Sequence, residues 1–361
     1  MKEKQFLSLC VMSMLAASMI LPWSPDRGDA GETGPGYKVL DPISRGNLTI
    51  FPVVADRSHD TRNFLTLDEG LRSGEVLVSE AGSMQPLIRG PRRVIPHSGA
   101  EVNRLVLVNN SERPLILLAG EIVTGGKQDR IVGKDRIVPP TSDPIDLAVF
   151  CVEPGRWVAT KYDFGSFQSQ MAQPSVRRSA MADKDQQKVW AEVRVSALAM
   201  AAPAAPATQR ALESTSSYAQ VMGNAEVKQR VDAVAAPLEQ SYQGLIRTLR
   251  DRKAVGAVVA VNDQIVWADL FASTALLEKY WPKLLRSYAA EALTQPRAPG
   301  RPEVKAAQAF LDDFGARREI VESEPGLYRR TEQMGEGFTA FELTSLLPGT
   351  GFDLHVAKIV E

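Results

Sequence analysis

The sequence predicts an α+β fold, with an antiparallel, β-rich core and helices concentrated in the second half. Short apolar runs of strand length follow one another through residues 47–152 and again through residues 326–359. Apolar residues at helical spacing are found instead in residues 227–313. Because strands and helices come in separate runs, the pattern favours α+β over a doubly wound parallel sheet.

The composition is that of an ordinary globular protein. Of 361 residues, 44% are apolar and 24% are charged, which argues against a disordered chain. The 42 basic and 43 acidic residues give a formal net charge of −1, so the chain lacks the overall basic field typical of nucleic-acid binding. The length permits one domain or two, and we expect one over residues 31–361.

Residues 1–30 have the pattern of an export signal. Lys2 and Lys4 precede an almost wholly apolar run, residues 6–21, and cleavage is expected after Ala30. The alternative is an uncleaved membrane anchor, because the run approaches the ~18 apolar residues of a membrane span. Both interpretations predict an extracytoplasmic domain, periplasmic or secreted. No other segment is apolar enough to predict a span.

The cysteines argue against a disulfide in the mature domain. Cys10 lies inside the predicted signal, which leaves Cys151 alone. A single thiol within AVFCVE is expected to be a small buried hydrophobic group, with a catalytic thiolate as the alternative. The three histidines lack metal-ligand spacing, so we expect no metal site and no cofactor.

The first half of the chain predicts mainly strands. Residues 47–54 form an apolar run in which Pro52 indicates an edge strand. Thr66, followed three residues later by Glu69, is the capping-box pattern of a short helix that ends near Gly74. The other runs of strand length are residues 76–79, 104–108, 115–118, 131–132, 137–138 and 147–152.

The pattern changes in the second half. Residues 162–188 are polar and irregular, residues 187–195 predict a short helix, and the Ala/Pro-rich residues 197–208 predict an exposed loop. A longer helix follows to about Arg250, and Pro237 should kink or split it. The remaining predictions are a hairpin turning at Asn262-Asp263, helices at 277–288 and 302–313, and a C-terminal β extension, 318–361, with strands at 326–331, 337–343 and 352–359.

Candidate ligand-binding residues are densest between the strands in the middle of the chain. Gly125 and Gly126 would let the backbone approach a ligand closely, and Lys127 and Arg130 could bind phosphate or carboxylate oxygens. Gln128 suits a sugar hydroxyl or an amide, because it both donates and accepts hydrogen bonds. The segment is not a P-loop, since the GKS or GKT ending is missing.

Glu121 and Glu153 are the candidate catalytic residues. A carboxyl group commonly serves as general acid or base when a sugar or phosphate linkage is hydrolysed, provided that it faces the ligand. Arg156 and Trp157 could add an anion clamp and a stacking surface. The alternative is structural, because charges at hairpin ends are commonly solvated or paired with one another.

A series of short motifs occurs in order along the chain: GE at 120–121, GGKQDR at 125–130, FCVEPGRW at 150–157, VW at 189–190 and DLF at 269–271. Together they resemble the ARG and rhodanese-phosphatase-superfamily-associated protein domain, a poorly characterised prokaryotic family, over about residues 42–294. ARG stands for ADP-ribosylglycohydrolase. The resemblance implies a role near nucleotide-derived or phosphorylated ligands, without an assigned reaction. The shared polar positions are Glu121, Lys127, Gln128, Arg130, Glu153 and Arg156.

Two functions are therefore open, and the sequence does not decide whether the protein is an enzyme. In the first, the exported domain binds a small anionic, nucleotide- or sugar-derived ligand in a polar pocket formed by residues 120–157, and hydrolyses it with Glu121 or Glu153 as general acid/base. In the second, it is a non-catalytic interaction or structural module of the cell envelope. Convergent side chains in an open cleft favour the first, and mutual pairing favours the second.

Overall fold

The computed structural model describes residues 36–80, 104–154, 161–249, 252–313 and 315–361, and for residues 161–169 it describes the backbone alone. The predicted export signal therefore lies outside the described residues, as do Arg156 and Trp157. No described helix has both the length and the apolar character needed to cross a membrane.

The first half of the domain is built mainly from strands. In chain order they are β1 (Lys38–Val39), β2 (Ile43–Arg45), β3 (Leu48–Ala55), β4 (Leu65–Thr66), β5 (Val76–Glu80), β6 (Arg104–Asn109), β7 (Leu115–Leu117), β8 (Glu121–Gly126), β9 (Arg130–Val132), β10 (Arg136–Val138), β11 (Ile145–Cys151) and β12 (Lys161–Met171). Helix α1 (Leu67–Ser73) lies between β4 and β5.

The second half contains most of the helices and the remaining strands. The helices are α2 (Pro174–Arg178), α3 (Gln186–Ala201), α4 (Pro206–Ser214), α5 (Tyr218–Gly223), α6 (Ala225–Thr248), α7 (Thr274–Thr294) and α8 (Val304–Asp312), with a π-helical turn, Ser179–Asp183, after α2. The strands are β13 (Lys253–Val261), β14 (Gln264–Phe271), β15 (Arg318–Glu324), β16 (Tyr328–Met334), β17 (Phe338–Ser345) and β18 (Asp353–Val360). This arrangement confirms the α+β class and the concentration of helices in the second half.

A large antiparallel sheet takes its strands from both ends of the chain. Its order is β1-β3-β13-β14-β18-β17-β16-β15, and β2 also pairs with β3. Strand β3 is apolar at nearly every position because both of its faces are covered. Ile50 belongs to the core shared with α6 and α7, whereas Phe51 belongs to the core on the other face, with Leu311 of α8. The C-terminal strands β15–β18 are thus part of this sheet.

A closed barrel forms the other β layer among the described residues, with the order β11-β6-β5-β12-β8-β9. Along β11, Leu147 and Val149 point into the barrel while Asp146 and Ala148 are exposed, which is the period of two expected for a strand with one buried face. A small sheet, β10-β7-β4, adds Leu117 to the same apolar core.

Local sequence signals fix several element ends. The capping box of α1 is confirmed: Thr66 accepts a hydrogen bond from the Glu69 backbone N–H, and the Glu69 side chain accepts one from the Thr66 backbone N–H. Gly74 ends the helix in the left-handed conformation, with φ of 72°. The hairpin between β13 and β14 is also confirmed, and Asn262 adopts the positive φ, 56°, that its tight turn requires.

The edge position predicted from Pro52 is wrong. β3 is an interior strand, paired with β13 along its whole length and with β1 and β2 on its other side. Proline is tolerated there because the second ladder is interrupted: β1 pairs with residues 53–54 and β2 with residues 48–50. Pro52 lies in the gap, where a missing N–H breaks no ladder hydrogen bond on that side.

Two stretches predicted as irregular are ordered elements. Residues 162–188 contain β12 and α2, because β12 closes the barrel by pairing with β5 and β8, two strands far away in sequence. The predicted loop over residues 197–208 is mostly helical, since α3 continues to Ala201 and α4 begins at Pro206. Alanine has the highest helix propensity, and proline suits the first helical position.

Pro237 does not split α6, since the helix runs without interruption from Ala225 to Thr248. The missing N–H at Pro237 leaves the carbonyl of Ala233 without its usual donor. Both residues are exposed, so water can satisfy that carbonyl.

Candidate functional site

The structure separates the residues that the sequence predicted as one site. β8 and β9 form a hairpin in which Val123 pairs with Arg130, and β11 brings Cys151 next to Arg130. Glu153 therefore lies beside the hairpin turn. Glu121 begins β8 at its other end, about 17 Å from Gly126 for an extended strand. The predicted residues form two groups.

The first group, which we call the turn cluster, consists of Glu80, Gln128, Asp129, Arg130 and Glu153. Glu153 Oε2 accepts a hydrogen bond from the Asp129 backbone N–H at 3.3 Å, and Gln128 Nε2 donates to the Glu153 carbonyl at 3.0 Å. Asp129 Oδ1 accepts from the Gly125 N–H at 3.2 Å. These side chains therefore hold the backbone of the turn.

Arg130 and Glu80 complete the turn cluster. Arg130 is fully buried and lies 3.9 Å from Glu80 Oε1, which also accepts the Lys127 backbone N–H at 2.8 Å. Gln128 Oε1 has no hydrogen-bond partner within the described ranges. All five members of the cluster are buried. Mutual pairing, and not an open cleft, is thus the geometry of this group.

Gly125 and Gly126 shape the turn of the hairpin. Their φ angles are 134° and 51°, values that a residue with a side chain rarely adopts. The sequence analysis assigned these glycines to the approach of a ligand. In the structure the Gly125 N–H is bonded to Asp129, so backbone conformation accounts for both residues.

The second group, which we call the lysine cluster, consists of Glu121, Asp68 and Lys283. Lys283 Nζ donates to Glu121 Oε1 at 2.5 Å and to Asp68 Oδ2 at 2.7 Å, and it lies 4.6 Å from the centre of the Tyr280 ring. Glu121 Oε2 accepts the Leu118 backbone N–H at 2.7 Å. Strand β8, helix α1 and helix α7 are thus joined by one ammonium group.

Burial and neighbouring charges explain the pKa shifts of Glu121 and Lys283 in the lysine cluster. Burial raises the pKa of Glu121, and Lys283 only partly opposes that shift. Burial alone would lower the pKa of Lys283, but Glu121 and Asp68 outweigh it and raise that pKa. The two shifts thus have different main causes, which are burial for Glu121 and the two neighbouring carboxylates for Lys283.

A cavity of about 470 Å³ adjoins the lysine cluster between β12, α5, α6 and α7, and we call it the α6–α7 cavity. Its cationic lining residues are Lys228, Lys283 and Arg286. Arg286 Nε is bonded to Asp232 Oδ1 at 2.9 Å, so Asp232 orients the guanidinium at the cavity wall. A neighbouring cavity of about 340 Å³ shares Lys283 and Arg286 and extends the space towards α1.

The α6–α7 cavity also has an apolar side and an unused polar group. Met171, Met222 and Val231 line it. Ser287, which is 1% exposed, has a hydroxyl with no hydrogen-bond partner among the described residues. Ligand sites commonly combine apolar walls with a few polar groups that fix orientation. The described residues contain no group of three or more His, Cys, Asp or Glu arranged to hold a metal ion.

A model of one protein family matches the chain over residues 36–356: the ARG and Rhodanese-Phosphatase-superfamily-associated Protein domain. The chain belongs to this family. The match takes in the C-terminal strands and so extends beyond the expected family-like core at 42–294. Neither the comparison with curated proteins nor the comparison with solved structures gave a match.

Within this ARG and Rhodanese-Phosphatase-superfamily-associated domain, the DLF motif lies in a buried charged network. Asp269 accepts two hydrogen bonds from Arg177, at 2.9 and 3.0 Å, and one from Tyr288. His355 bridges Asp269 at 2.9 Å and Asp135 at 2.6 Å. We call these five residues the aspartate network. It joins the loop after β9 to β14, β18, α2 and α7.

Asp269 and His355 of the aspartate network are both charged near neutral pH. Burial alone would raise the pKa of Asp269, but Arg177 and His355 outweigh it and hold that pKa well below its ordinary range. Burial alone would lower the pKa of His355, but Asp135 and Asp269 raise it to about 9. Arg177 also lies 4.3 Å from the centre of the Trp267 ring.

The sequence analysis missed the residues of α6 and α7 that line the cavity, because it interpreted these helices as core packing. One signal was present. Lys279, Lys283 and Arg286 are spaced by four and three residues, which puts three basic groups on one face of a helix whose other faces are apolar.

Proposed function

We propose that this domain binds a small anionic ligand in the α6–α7 cavity. The observation that carries the proposal is the combination of two cationic side chains, Lys228 and Arg286, with Ser287, a lining residue whose buried hydroxyl has no partner among the described residues. Lys228 and Arg286 bind the anionic group, and Ser287 donates to it. Lys283 is bonded to Glu121 and Asp68, so its charge is compensated within the protein and it lines the cavity without adding net positive charge.

The apolar side of the cavity supports an amphipathic ligand. Met171, Met222 and Val231 offer a surface for a planar ring or a sugar face, while the cations lie on α6 and α7. A nucleotide-derived or phosphorylated sugar ligand combines these two properties. The family description, which names an association with ARG and phosphatase-superfamily proteins, is consistent with that class.

The proposal makes binding the primary activity and gives only Glu121, of the two predicted glutamates, a part in a hydrolytic step. Glu153 is engaged by the Asp129 N–H at the other end of β8. Burial raises the pKa of Glu121, but Glu121 lines neither cavity, so its part in a hydrolytic step is to position Lys283, which lines both. We further propose that the domain works outside the cytoplasm, because residues 1–30 have the sequence pattern of an export signal.

A second candidate is a non-catalytic module of the cell envelope. The observation that favours it is the closed pairing of the turn cluster, in which Glu153, Asp129 and Gln128 all hold backbone groups. On this view the charged residues of the middle segment fix the hairpins, and the protein binds another macromolecule and no small anion.

Thermal denaturation of the full-length chain with a ligand panel separates the two candidates. The panel contains inorganic phosphate, pyrophosphate, AMP, ADP-ribose and sugar phosphates, with neutral sugars for comparison. An anion present at 100 times its dissociation constant stabilises the fold by about 2.7 kcal/mol, which raises the melting temperature. Lys228→Ala should weaken binding about 10- to 100-fold, since a charge-assisted hydrogen bond is lost.

Lys305→Ala is the matched control. Lys305 is an exposed helical lysine like Lys228, but it lies on α8, which covers the opposite face of the large sheet. Lys305→Ala should leave the affinity for the anion unchanged. Glu121→Gln then tests turnover of any ligand found. Absence of a shift with every anion, or equal affinities for the Lys228 and Lys305 variants, would favour the envelope module.

A further inference from the structure

β15 ends the large sheet and leaves one edge open to solvent. It pairs with β16 at all seven of its residues, from Arg318 opposite Met334 to Glu324 opposite Tyr328. No strand among the described residues pairs with its other edge. Val321, at the middle of the strand, is 52% exposed, and most of the strand is exposed with it. Such an edge presents unpaired backbone N–H and C=O groups to another strand.

The sequence of β15, REIVESE, is complementary to itself in the antiparallel direction. A two-fold axis through Val321 sets Val321 opposite Val321 of a second copy. Arg318 then lies opposite Glu324 of that copy, and the same pair recurs on the other side of the axis. Opposite charges and apolar pairs are the cross-strand combinations that stabilise antiparallel strands.

We infer that this protein self-associates through β15, so that two copies form one continuous antiparallel sheet across a two-fold axis. The occupant of the open edge is thus a second copy of this chain. Closed two-fold symmetry is the commonest arrangement of homo-oligomers, and it uses the same patch on both subunits. A single strand pair is smaller than a standard interface, so the dimer is weak, with a dissociation constant in the micromolar range or above.

The acidic residues of β15 do not oppose this pairing. Charged residues on an edge strand often prevent association. Here Glu322 is 2.9 Å from Lys134 Nζ, and Glu324 is 3.4 Å from Arg136, so both carboxylates already face a cation of the barrel. In the two-fold register Glu322 lies opposite Ile320 of the second copy, and no two like charges are directly opposite.

Charge reversal tests the register. Sedimentation velocity of the full-length chain over a concentration series should detect the dimer. Arg318→Glu or Glu324→Arg alone places like charges opposite each other and should weaken association by about tenfold. The double variant Arg318→Glu/Glu324→Arg restores opposite charges across the axis and should regain the wild-type dissociation constant to within about threefold.

Cross-linking provides a second, independent test. Directly opposed residues of antiparallel strands have Cα atoms about 4.5–5.5 Å apart, within the range of a disulfide. Val321→Cys should therefore form a covalent dimer under mild oxidation, whereas Val195→Cys, an equally exposed site on α3, should not. Equal cross-linking of the two variants, failure of the double charge reversal to restore association, or a monomer at every concentration would overturn the inference.

Discussion

The aspartate network and the lysine cluster use the same chemistry in two different settings. Both surround a base with two carboxylates, His355 with Asp135 and Asp269 in one, and Lys283 with Glu121 and Asp68 in the other. In the network, every oxygen of Asp269 has a protein donor. The lysine cluster instead forms part of the wall of two cavities.

The difference teaches that buried charge alone does not mark a site. Burial of an ion is unfavourable unless partners compensate it, and both groups have such partners. Space beside the group does not distinguish them either, since Asp135 of the aspartate network lines a cavity of about 380 Å³. What distinguishes the lysine cluster is Ser287, a residue of the same cavity lining whose buried hydroxyl has no partner among the described residues. The aspartate network is therefore interpreted as structural, and the lysine cluster as support for a ligand.

The largest effect is expected for Asp269→Ala. Removing this carboxylate leaves Arg177 and His355 buried without compensation, so the free energy of unfolding should fall by about 3–5 kcal/mol. Urea denaturation measures the change. The control is Asp60→Ala, which removes an ion pair with Arg62 that is exposed to solvent, and it should leave the stability close to that of wild type. Similar losses in the two variants would contradict a structural role for the network.

An effect of intermediate size is expected from the titration of His355, which makes the free energy of unfolding depend on pH. Its pKa is about 9 in the folded protein and about 6.5 in an unfolded chain, so the folded state binds the additional proton. This contribution is complete below about pH 6.5 and is lost as the pH rises through 9, with a total of about 3 kcal/mol. Denaturation curves of wild type and His355→Gln, measured from pH 6 to 10, give the difference.

At each pH, the free energy of unfolding of His355→Gln is subtracted from that of wild type. The contributions of other titrating groups, which both proteins share, then cancel. Lys358, whose pKa is lowered to about 8 mainly by burial, contributes to both proteins alike. His355→Gln should be less stable than wild type at pH 6, and the difference between their free energies of unfolding should become smaller towards pH 10. If the difference between the two free energies of unfolding stayed constant over this pH range, His355 would be neutral in the folded protein.

The smallest effect is expected for Ser287→Ala. Because the hydroxyl has no partner among the described residues, its removal should leave stability unchanged or raise it by up to about 1 kcal/mol. Ser196→Ala is the matched control: this serine is equally buried, but its hydroxyl donates to Gln173 Oε1 at 2.8 Å. The control should lose about 1–2 kcal/mol. Equal losses would show that Ser287 already has a structural partner, and the cavity proposal would lose its main support.

The fold class and the local elements could be predicted because their signals are local. The capping box at Thr66 and the turn at Asn262 depend on residues close in sequence, and both predictions are confirmed. The interior position of β3 and the strand β12 depend on pairing with distant segments. The edge position predicted from Pro52 was wrong for this reason. The residues around the proline do not reveal that β1 and β2 leave a gap where they pair with β3.

The candidate site was harder to predict than the fold. The density of polar residues in the middle of the chain predicted Glu121 and Glu153 as catalytic residues, and in the structure both are buried carboxylates. Strand direction then puts them at opposite ends of a hairpin, which spacing along the sequence does not reveal. Glu121 meets Lys283, a partner that lies 162 positions further along the chain.

The large sheet has a consequence for how the chain folds. β3 pairs with β13 along its whole length, yet the chain passes through residues 56–252 before β13 begins. During synthesis from the N-terminus, the apolar strand LTIFPVVA therefore emerges long before its neighbour exists. The barrel has its strands between these two segments and can close first. β3 can therefore pair with β13 only after the whole barrel segment has been made, which is a contact of large sequence separation and favours slow folding.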